Sequence, residues 1–253
     1  LEGCRVLVTR PRAQGEGLVK AIEQAGGSAV VFPVMEAVGR DPADIATDTG
    51  RLFDPDIVIF VSVNAVRYGL TSAGCGKIAA IGPATTRVIE QHGFSVDIRS
   101  ADGFTSEHLL ATPELLDVRG KVIRIVRGNG GRELMAQTLR DRGATVEYLE
   151  VYSRRLPAYT EAEIGDVEQK LVSGEIDVVT MMSVESLLNL IALLPSTTYR
   201  AIANTLLVTP AARVIKEAEG RFPGIPTTLA AGPQASDMVA AIATSTNSGH
   251  PDD

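Results

Sequence analysis

The sequence predicts an α/β protein made of two similar, doubly wound parallel-sheet domains with five strands each. Apolar runs rich in Val and Ile alternate with segments of helical period, as they do in βαβ units. These runs show little polar/apolar alternation, which is typical of strands covered by helices on both faces. The stretch DIVIFVSVNAV at 56–66 is matched by DVVTMMSVESL at 177–187, which indicates a repeated unit.

Ten segments are predicted as strands, and each is followed by a loop or a helical segment. They are RVLVT (5–9), AVVF (29–32), DIVIFV (56–61), KIAAI (77–81), FSVDI (94–98), KVIRIV (121–126), TVEYLEVY (145–152), IDVVTMM (176–182), TLLVT (205–209) and TTLAA (227–231). Divided between two copies of one unit, they give five strands to each domain.

The two copies occur in different circular order along the chain. Residues 5–32 and 121–149 both read strand, loop, helix, Gly, strand. Because one βαβ unit is too small to form a stable sheet alone, the first two strands are expected to join the last three. The predicted division is 1–35 with 156–250 for a discontinuous domain 1, 40–150 for domain 2, and a two-strand connector at 36–39 and 151–155. The polar tail 244–253 is predicted to be disordered.

Composition excludes several classes of function. No apolar run approaches the roughly 18 residues that a membrane-spanning helix needs, and the start, LEGCRVLV, lacks the features of a signal peptide, so a cytoplasmic protein is expected. The net charge is −7, with 31 acidic and 24 basic residues and no basic stripe, which argues against nucleic acid as a partner. A monomer is expected, since no predicted element has an extra apolar face.

Neither a metal nor a cofactor is expected. Cys4 and Cys75 stand alone, without CxxC spacing or a companion His, and the three histidines are scattered, so a zinc site is poorly supported. The glycines of RGNGGRE at 127–133 match neither the GxGxxG nor the GxxxxGK[ST] pattern of nucleotide-binding loops.

Polar residues cluster where the predicted strands end. In open parallel sheets a ligand binds in the crevice outside the carboxyl ends of the strands, and the helix starts that follow offer free N–H groups to carboxylates or phosphates. The same residues could instead serve only as helix caps. The candidate binding residues are Thr9, Arg10, Ser62, Asn64, Gly82, Thr85, Arg127, Gly128, Asn129, Arg132, Ser183, Glu185, Thr209, Pro210 and Ala211.

Three of these candidates, Arg10, Arg127 and Arg132, are placed to bind carboxylates directly. The guanidinium group presents a fixed fork of donors that matches a carboxylate. An arginine at a helix start is also common on protein surfaces, so only one or two of the three are expected to contact a ligand.

Several motifs resemble the uroporphyrinogen-III synthase family. They are VLVTRP (6–11), the SVNAV loop (62–66), AAIGPATTRVIEQHG (79–93), RGNGGRELMAQTLRDRGATVEYLEVYSR (127–154) and the second Ser-containing loop. The resemblance extends to about Ile242 and implies two α/β domains joined by a pair of strands, with a linear tetrapyrrole in the cleft between them. This chain has Val61-Ser62 where many relatives have Thr-Ser, and TPAA (209–212) where they have Gly-Pro-Thr-Thr.

The resemblance implies a cofactor-independent enzyme that cyclises hydroxymethylbilane to uroporphyrinogen III, with loss of water and inversion of the terminal pyrrole ring. It also implies a functional tyrosine, which is Tyr152 in VYSR (151–154). A phenol stays protonated at neutral pH and can donate a hydrogen bond to a leaving hydroxyl group; a tyrosine that only packs in the connector is the alternative. Two α/β lobes crossed twice by the chain also describe a hinged small-molecule binding or sensor protein.

Overall fold

The computed structural model describes residues 1–100, 102–131 and 133–247. Contacts within the chain divide it into two compact units. Unit 1 comprises residues 1–36 and the segment from Arg155 onward, and unit 2 comprises Ala37–Arg154. Each unit is built around one sheet and is described separately.

Eleven strands lie in the described ranges, and ten of them overlap the predicted segments. They are β1 (Arg5–Val8), β2 (Ser28–Val31), β3 (Glu36–Gly39), β4 (Ile57–Phe60), β5 (Lys77–Ala80), β6 (Ile98–Arg99), β7 (Val122–Gly128), β8 (Thr145–Arg155), β9 (Val178–Thr180), β10 (Leu206–Thr209) and β11 (Thr227–Leu229).

Twelve α-helices connect these strands within the same described ranges. They are α1 (Arg12–Gln24), α2 (Pro42–Thr49), α3 (Val63–Gly69), α4 (Pro83–Gln91), α5 (Ser106–Leu110), α6 (Pro113–Leu116), α7 (Leu134–Asp141), α8 (Glu161–Val172), α9 (Val184–Leu193), α10 (Tyr199–Asn204), α11 (Ala212–Arg221) and α12 (Ala235–Asn247).

Unit 1 contains a five-stranded parallel sheet in the order β11-β10-β9-β1-β2. Its central strand β1 is apolar on both faces. Leu7 packs into a core formed with α8, α9, α10 and α11, whereas Val6 and Val8 pack on the other face against α1 and α12. Helices therefore cover both faces of the sheet, which explains why the strand reads as a continuous apolar run.

Unit 2 contains a six-stranded sheet in the order β3-β8-β7-β4-β5-β6. Strands β4 to β8 pair in parallel. Ile59 of β4 packs on the face covered by α5, α6 and α7, and Phe60 packs on the face covered by α2, α3 and α4. The predicted α/β class with doubly wound parallel sheets is confirmed.

The prediction of five strands in each domain is wrong for the second sheet. The sixth strand is β3, in a segment that the sequence pattern assigns to the connector, and it lies beside β8 at the sheet edge. A four-residue stretch such as EAVG has no periodicity that distinguishes a strand from a linker, so its pairing is decided by the neighbouring strand. The predicted strand 94–98 is reduced to β6, because only Ile98 and Arg99 pair with β5.

The predicted disorder of the tail is wrong for its first residues. Helix α12 continues to Asn247, since Ile242 is buried against β10 and β11 and the Ser245 hydroxyl lies 2.7 Å from that of Thr228. The rest of the predicted tail, 248–253, lies outside the described residues.

Candidate active site

In unit 2, Ser62 joins β4 to the start of α3. Its backbone is extended, with φ −164° and ψ 165°, and its Oγ accepts a hydrogen bond of 3.1 Å from the Ala65 N–H. This is an N-cap, which satisfies one of the free donors at a helix start. Asn64 lies in the first turn of the same helix.

Tyr152 of β8 lies beside this cap. Its hydroxyl oxygen is 3.3 Å from the Ser62 Oγ, and its side chain is only 3% exposed. The ring packs at 6.0 Å from the ring of Tyr68, and the backbone carbonyl accepts a 2.8 Å hydrogen bond from the Asn129 N–H. Tyr152 is therefore fixed by the packing of its ring, by a hydrogen bond to its backbone carbonyl and by the contact of its hydroxyl group with Ser62.

Gly128 makes this position of the Tyr152 ring possible. A Cβ atom at residue 128 would lie 2.6 Å from two ring carbons of Tyr152, a distance at which carbon atoms clash. The sequence analysis predicts Gly128 only as a candidate binding residue at a strand end. In the structure, the absence of a side chain at Gly128 allows β7 to approach the Tyr152 ring closely.

Arg127 is buried and is bonded within its own loop. Its Nε donates to the Gly130 carbonyl at 2.9 Å, and its Nη1 donates to Glu133 at 3.1 Å. The guanidinium also lies 4.4 Å from the centre of the Tyr148 ring, which is cation–π distance. Direct binding of a substrate carboxylate by Arg127 stays a prediction.

Glu133 is the acidic partner of this group. It accepts a hydrogen bond from the Tyr148 hydroxyl and another from Arg127, and these bonds, in that order of size, lower the pKa of its carboxyl group. Burial and the bond to Glu133 raise the pKa of Tyr148. The negative charge of Glu133 is therefore paired with Arg127 and Tyr148.

A pocket of about 470 Å³ opens at the carboxyl ends of these strands within unit 2. Four predicted site residues line it, namely Arg127, Gly128, Asn129 and Tyr152. Arg154 adds a second cationic side chain to the lining.

An adjoining pocket contains Gly82, which is the N-cap residue of α4. Thr85 is buried in the first turns of that helix. Five of the predicted residues of unit 2, namely Gly82, Arg127, Gly128, Asn129 and Tyr152, thus line two neighbouring pockets.

In unit 1, the hydroxyl groups of two predicted site residues are used inside the protein. Thr9 is buried and donates to the Thr180 carbonyl at 2.6 Å, and Thr209 is buried and accepts from the Ala211 N–H at 3.2 Å. Pro210 lies between Thr209 and Ala211, which is the N-cap residue of α11 and provides no side-chain cap. The backbone N–H groups of that helix start remain the candidate donors.

Arg10 is more enclosed than a surface arginine at a helix start. It donates to the Pro233 carbonyl at 2.6 Å, its Nε is buried without a protein partner, and burial lowers the pKa of the guanidinium. Of the other predicted residues, Ser183 caps α9, Glu185 lies in the first turn of that helix, and Arg132 lies outside the described residues.

The sequence reasoning did not single out Arg40, Tyr148 or Glu150. Glu150 accepts from the Asn129 side chain at 2.9 Å and from the Gly130 N–H at 3.3 Å, so it fixes the loop beside Tyr152. The only available signal was the presence of polar residues at alternate positions of β8, and that pattern alone indicates an exposed face.

Neither a metal centre nor a membrane span is evident in the part of the chain that the structure describes. Its His, Cys, Asp and Glu residues form no group of three or more that could hold a metal ion. Within the same residues, no helix combines the length and apolarity needed to cross a bilayer.

The fold and the site define a doubly wound α/β protein whose strand-end loops present hydroxyl groups, glycines and one buried tyrosine. A family model described as "Uroporphyrinogen-III synthase HemD" matches residues 16–240. The chain belongs to the uroporphyrinogen-III synthase family, whose members act in tetrapyrrole biosynthesis.

Individual relatives agree with this assignment. The chain is 38% identical over 169 residues to the uroporphyrinogen-III synthase of Salmonella typhimurium, covering 62% of this chain and 68% of that protein. It is 32% identical over 199 residues to the enzyme of Escherichia coli, covering 75% and 80%. The solved uroporphyrinogen-III synthetase of Helicobacter pylori is similar in fold, with a TM-score of 0.60 and 14% identity over 96% of this chain and 99% of that one. Nothing in these comparisons supports the binding or sensor alternative.

Proposed function

We propose that this chain closes the linear tetrapyrrole hydroxymethylbilane into uroporphyrinogen III, with loss of one water and inversion of the terminal pyrrole ring. Family membership supports the reaction. The observation that carries the assignment of residues is the pair of hydroxyl groups formed by Tyr152 and Ser62, 3.3 Å apart at the carboxyl ends of β8 and β4.

The first chemical step is departure of the terminal hydroxyl group. The C–O bond breaks as the pyrrole nitrogen supplies electrons, and loss of hydroxide together with the proton of that pyrrole N–H gives one water and a neutral, electrophilic azafulvene. Tyr152 is proposed to donate a hydrogen bond to that oxygen, with Ser62 orienting the phenol. A neutral donor suits this task because it adds no negative charge beside a polycarboxylate substrate.

The second step joins the two ends of the linear tetrapyrrole. The far pyrrole attacks the electrophilic carbon through its substituted α-carbon and forms a spiro intermediate. The bond from that α-carbon to its original methylene bridge then breaks, the methylene bonds to the free α-carbon of the same ring, and loss of the proton from that carbon restores the pyrrole with the ring inverted. Unassisted closure gives the uninverted isomer, so the protein must hold a folded geometry. Positioning of this kind is worth on the order of 7–11 kcal/mol in the best intramolecular cases.

The substrate carboxylates are proposed to bind mainly through N–H groups at the helix starts. The candidate residues at helix starts are Ser62, Asn64, Gly82, Thr85, Ser183 and Glu185, and Thr9, Gly128 and Asn129 are candidates at strand ends. At 209–211 the donors proposed are those of the α11 start that follows, because Pro210 has no N–H and the Ala211 N–H donates to the Thr209 hydroxyl. Oriented N–H groups at helix starts favour anions, and the short loops after β4, β5, β9 and β10 support this assignment. Among the arginines, Arg10 is favoured over Arg127, because Arg127 already pairs with Glu133.

Incubation with enzymatically generated hydroxymethylbilane tests the reaction. The products are oxidised and the porphyrin isomers are separated, with a protein-free reaction as the control for spontaneous closure. Isomer III in excess of the control is expected. Isomer I alone would contradict the proposed function.

The state in which the enzyme works is also part of the proposal. It is proposed to act as a cytoplasmic monomer that binds the linear tetrapyrrole and no nucleic acid, and its net charge of −7 supports the absence of a nucleic-acid partner. The domains 1–35 with 156–250 and 40–150 are proposed as its two structural domains.

A further inference from the structure

Strand β8 contains a bulge immediately before Tyr152. Along the pair formed with β7, Val126 lies opposite Leu149 and Arg127 lies opposite Glu150, but Gly128 lies opposite Tyr152. One residue of β8, Val151, therefore has no counterpart on β7. A single extra residue of this kind bends a strand and redirects the side chains that follow it.

The bulge changes the face of the sheet on which Tyr152 lies. In a regular strand, residues 148, 150 and 152 point to the same face. Tyr148 packs against the core beneath α5, α6 and α7, whereas Tyr152 belongs to the core beneath α2, α3 and α4, together with Leu149 and Val151. Since Ser62 caps α3, only the second face brings the phenol hydroxyl to Ser62.

Arg40 binds the backbone of the bulge from the neighbouring edge. It follows β3, and its Nη1 donates to the Glu150 carbonyl at 2.7 Å while its backbone N–H donates to the Val151 carbonyl at 2.9 Å. The same Nη1 lies 2.9 Å from a carboxylate oxygen of Asp48 in α2. One residue thus provides donors to both carbonyls of the irregular stretch.

We propose that Arg40 is a positioning residue for the synthase reaction, because it holds the bulge that aims the Tyr152 hydroxyl at Ser62. Without the guanidinium, the Glu150 carbonyl loses this donor, and a polar backbone group without a partner favours rearrangement of the strand. Relaxation toward regular pairing would turn residue 152 toward the opposite face. The inference rests on the function proposed for Tyr152 and adds the residue that keeps it in place.

The test compares Arg40→Met with Arg40→Lys and with the control Asp48→Asn, each made in the wild-type protein and in Tyr152→Phe. Arg40→Met is expected to lower kcat about fivefold or more, which is ~1 kcal/mol of transition-state stabilisation, with little change in KM. Arg40→Lys should recover part of the loss. Asp48→Asn, which keeps the bond from Arg40 to the Glu150 carbonyl, should leave kcat unchanged.

The Tyr152→Phe background separates positioning from a general structural effect. If Arg40 acts through the phenol, Arg40→Met should have no further effect on kcat once the hydroxyl is absent. An equal loss in both backgrounds, or an increase in KM alone, would overturn the inference. If Arg40→Met does not fold, the same comparison is made with Arg40→Lys.

A readout without turnover keeps this inference distinct from the proposed function. The chain has five tyrosines, so incorporation of 3-fluorotyrosine gives few ¹⁹F resonances, and Tyr152→Phe assigns that of Tyr152. Arg40→Met should shift this resonance and Asp48→Asn should not. An unmoved resonance would refute the positioning role, whereas absence of isomer III with the wild-type protein would refute the proposed function.

Discussion

The loop that begins at Ser62 in unit 2 and the loop that begins at Ser183 in unit 1 have nearly the same local structure. The φ and ψ angles are −164° and 165° at Ser62 and −157° and 162° at Ser183. Each Oγ accepts a 3.1 Å hydrogen bond from the N–H three residues later. The repeated sequence therefore encodes a strand, a serine cap and a helix in both units.

The two loops differ in the second partner of the serine. Ser183 lies 2.9 Å from the hydroxyl of Ser186 in its own helix, whereas Ser62 lies 3.3 Å from the hydroxyl of Tyr152, which is 90 residues away in the sequence. The cap is a local feature that duplication copies. The tyrosine comes from a distant strand, β8, so of the two loops only the one in unit 2 combines a cap with a candidate hydrogen-bond donor to the leaving hydroxyl group.

Removal of the Tyr152 hydroxyl should leave Ser62 as a helix cap alone, like Ser183, and should have the largest effect on kcat. Tyr152→Phe keeps the packed ring and is expected to lower kcat tenfold or more, at least about 1.4 kcal/mol, with folding intact. Steady-state kinetics and circular dichroism measure the two quantities. Tyr68→Phe is the matched control, since its ring packs beside Tyr152 but its hydroxyl donates to the Ala37 carbonyl. An unchanged kcat in Tyr152→Phe would leave packing as the only role of that residue.

Displacement of the Tyr152 ring should have the next largest effect. The Cβ atom added by Gly128→Ala would meet the ring at 2.6 Å, and overpacking of this kind costs about 1–3 kcal/mol of stability. A loss of kcat of about fivefold is expected as well, because the hydroxyl moves away from Ser62. Gly165→Ala is a control in unit 1, where a Cβ meets no atom within 4 Å and the helix should gain about 0.5–1 kcal/mol. Wild-type kinetics in Gly128→Ala would show that the ring position is unimportant.

Replacement of each serine tests the comparison directly. Ser62→Ala and Ser183→Ala should each lower the free energy of unfolding by roughly 1 kcal/mol, as loss of an N-cap does. Only Ser62→Ala should also lower kcat, by about threefold, since it removes the hydrogen-bond partner of Tyr152. Both variants should raise KM for hydroxymethylbilane if these loops bind its carboxylates. Stability losses with unchanged kinetics in both variants would reduce the repeat to two helix caps.

The sequence was sufficient for the parts of the molecule that depend on local pattern. Continuous apolar runs such as DIVIFV (56–61) and IDVVTMM (176–182) predicted the strands that the structure shows as β4 and β9, and a serine directly before a predicted helix indicated both caps. The family resemblance then selected Tyr152 among the tyrosines.

The remaining features depend on pairing between distant segments. The bulge at Val151 is a shift of one residue between β7 and β8, and the sequence TVEYLEVY reads equally well with or without it. The role of Arg40 follows from that shift, and strand β3 is too short to be recognised before its partner is known. For the same reason the contact between Gly128 and the Tyr152 ring could not be predicted from a glycine-rich loop.

The smallest expected effect is on stability in acid, where one carboxylate of each unit, Glu133 and Glu163, can be compared. Hydrogen bonds from Tyr148 and Arg127 lower the pKa of Glu133 in unit 2, and bonds from the Thr160 N–H and hydroxyl lower that of Glu163 in unit 1. A carboxylate with a depressed folded-state pKa stabilises the protein above its unfolded pKa, about 4.3 for Glu, and this contribution is lost as the pH falls through the folded pKa.

Glu133→Gln and Glu163→Gln should therefore each weaken the decline of the thermal midpoint as the pH falls below about 4.3. At neutral pH the midpoint should fall less in Glu163→Gln, because Gln also serves at the third position of a capping box, whereas Glu133→Gln removes the charge that pairs with Arg127. Scanning calorimetry across this pH range measures both midpoints. Acid profiles parallel to that of the wild-type protein in both variants would show that these hydrogen bonds do not contribute to its stability.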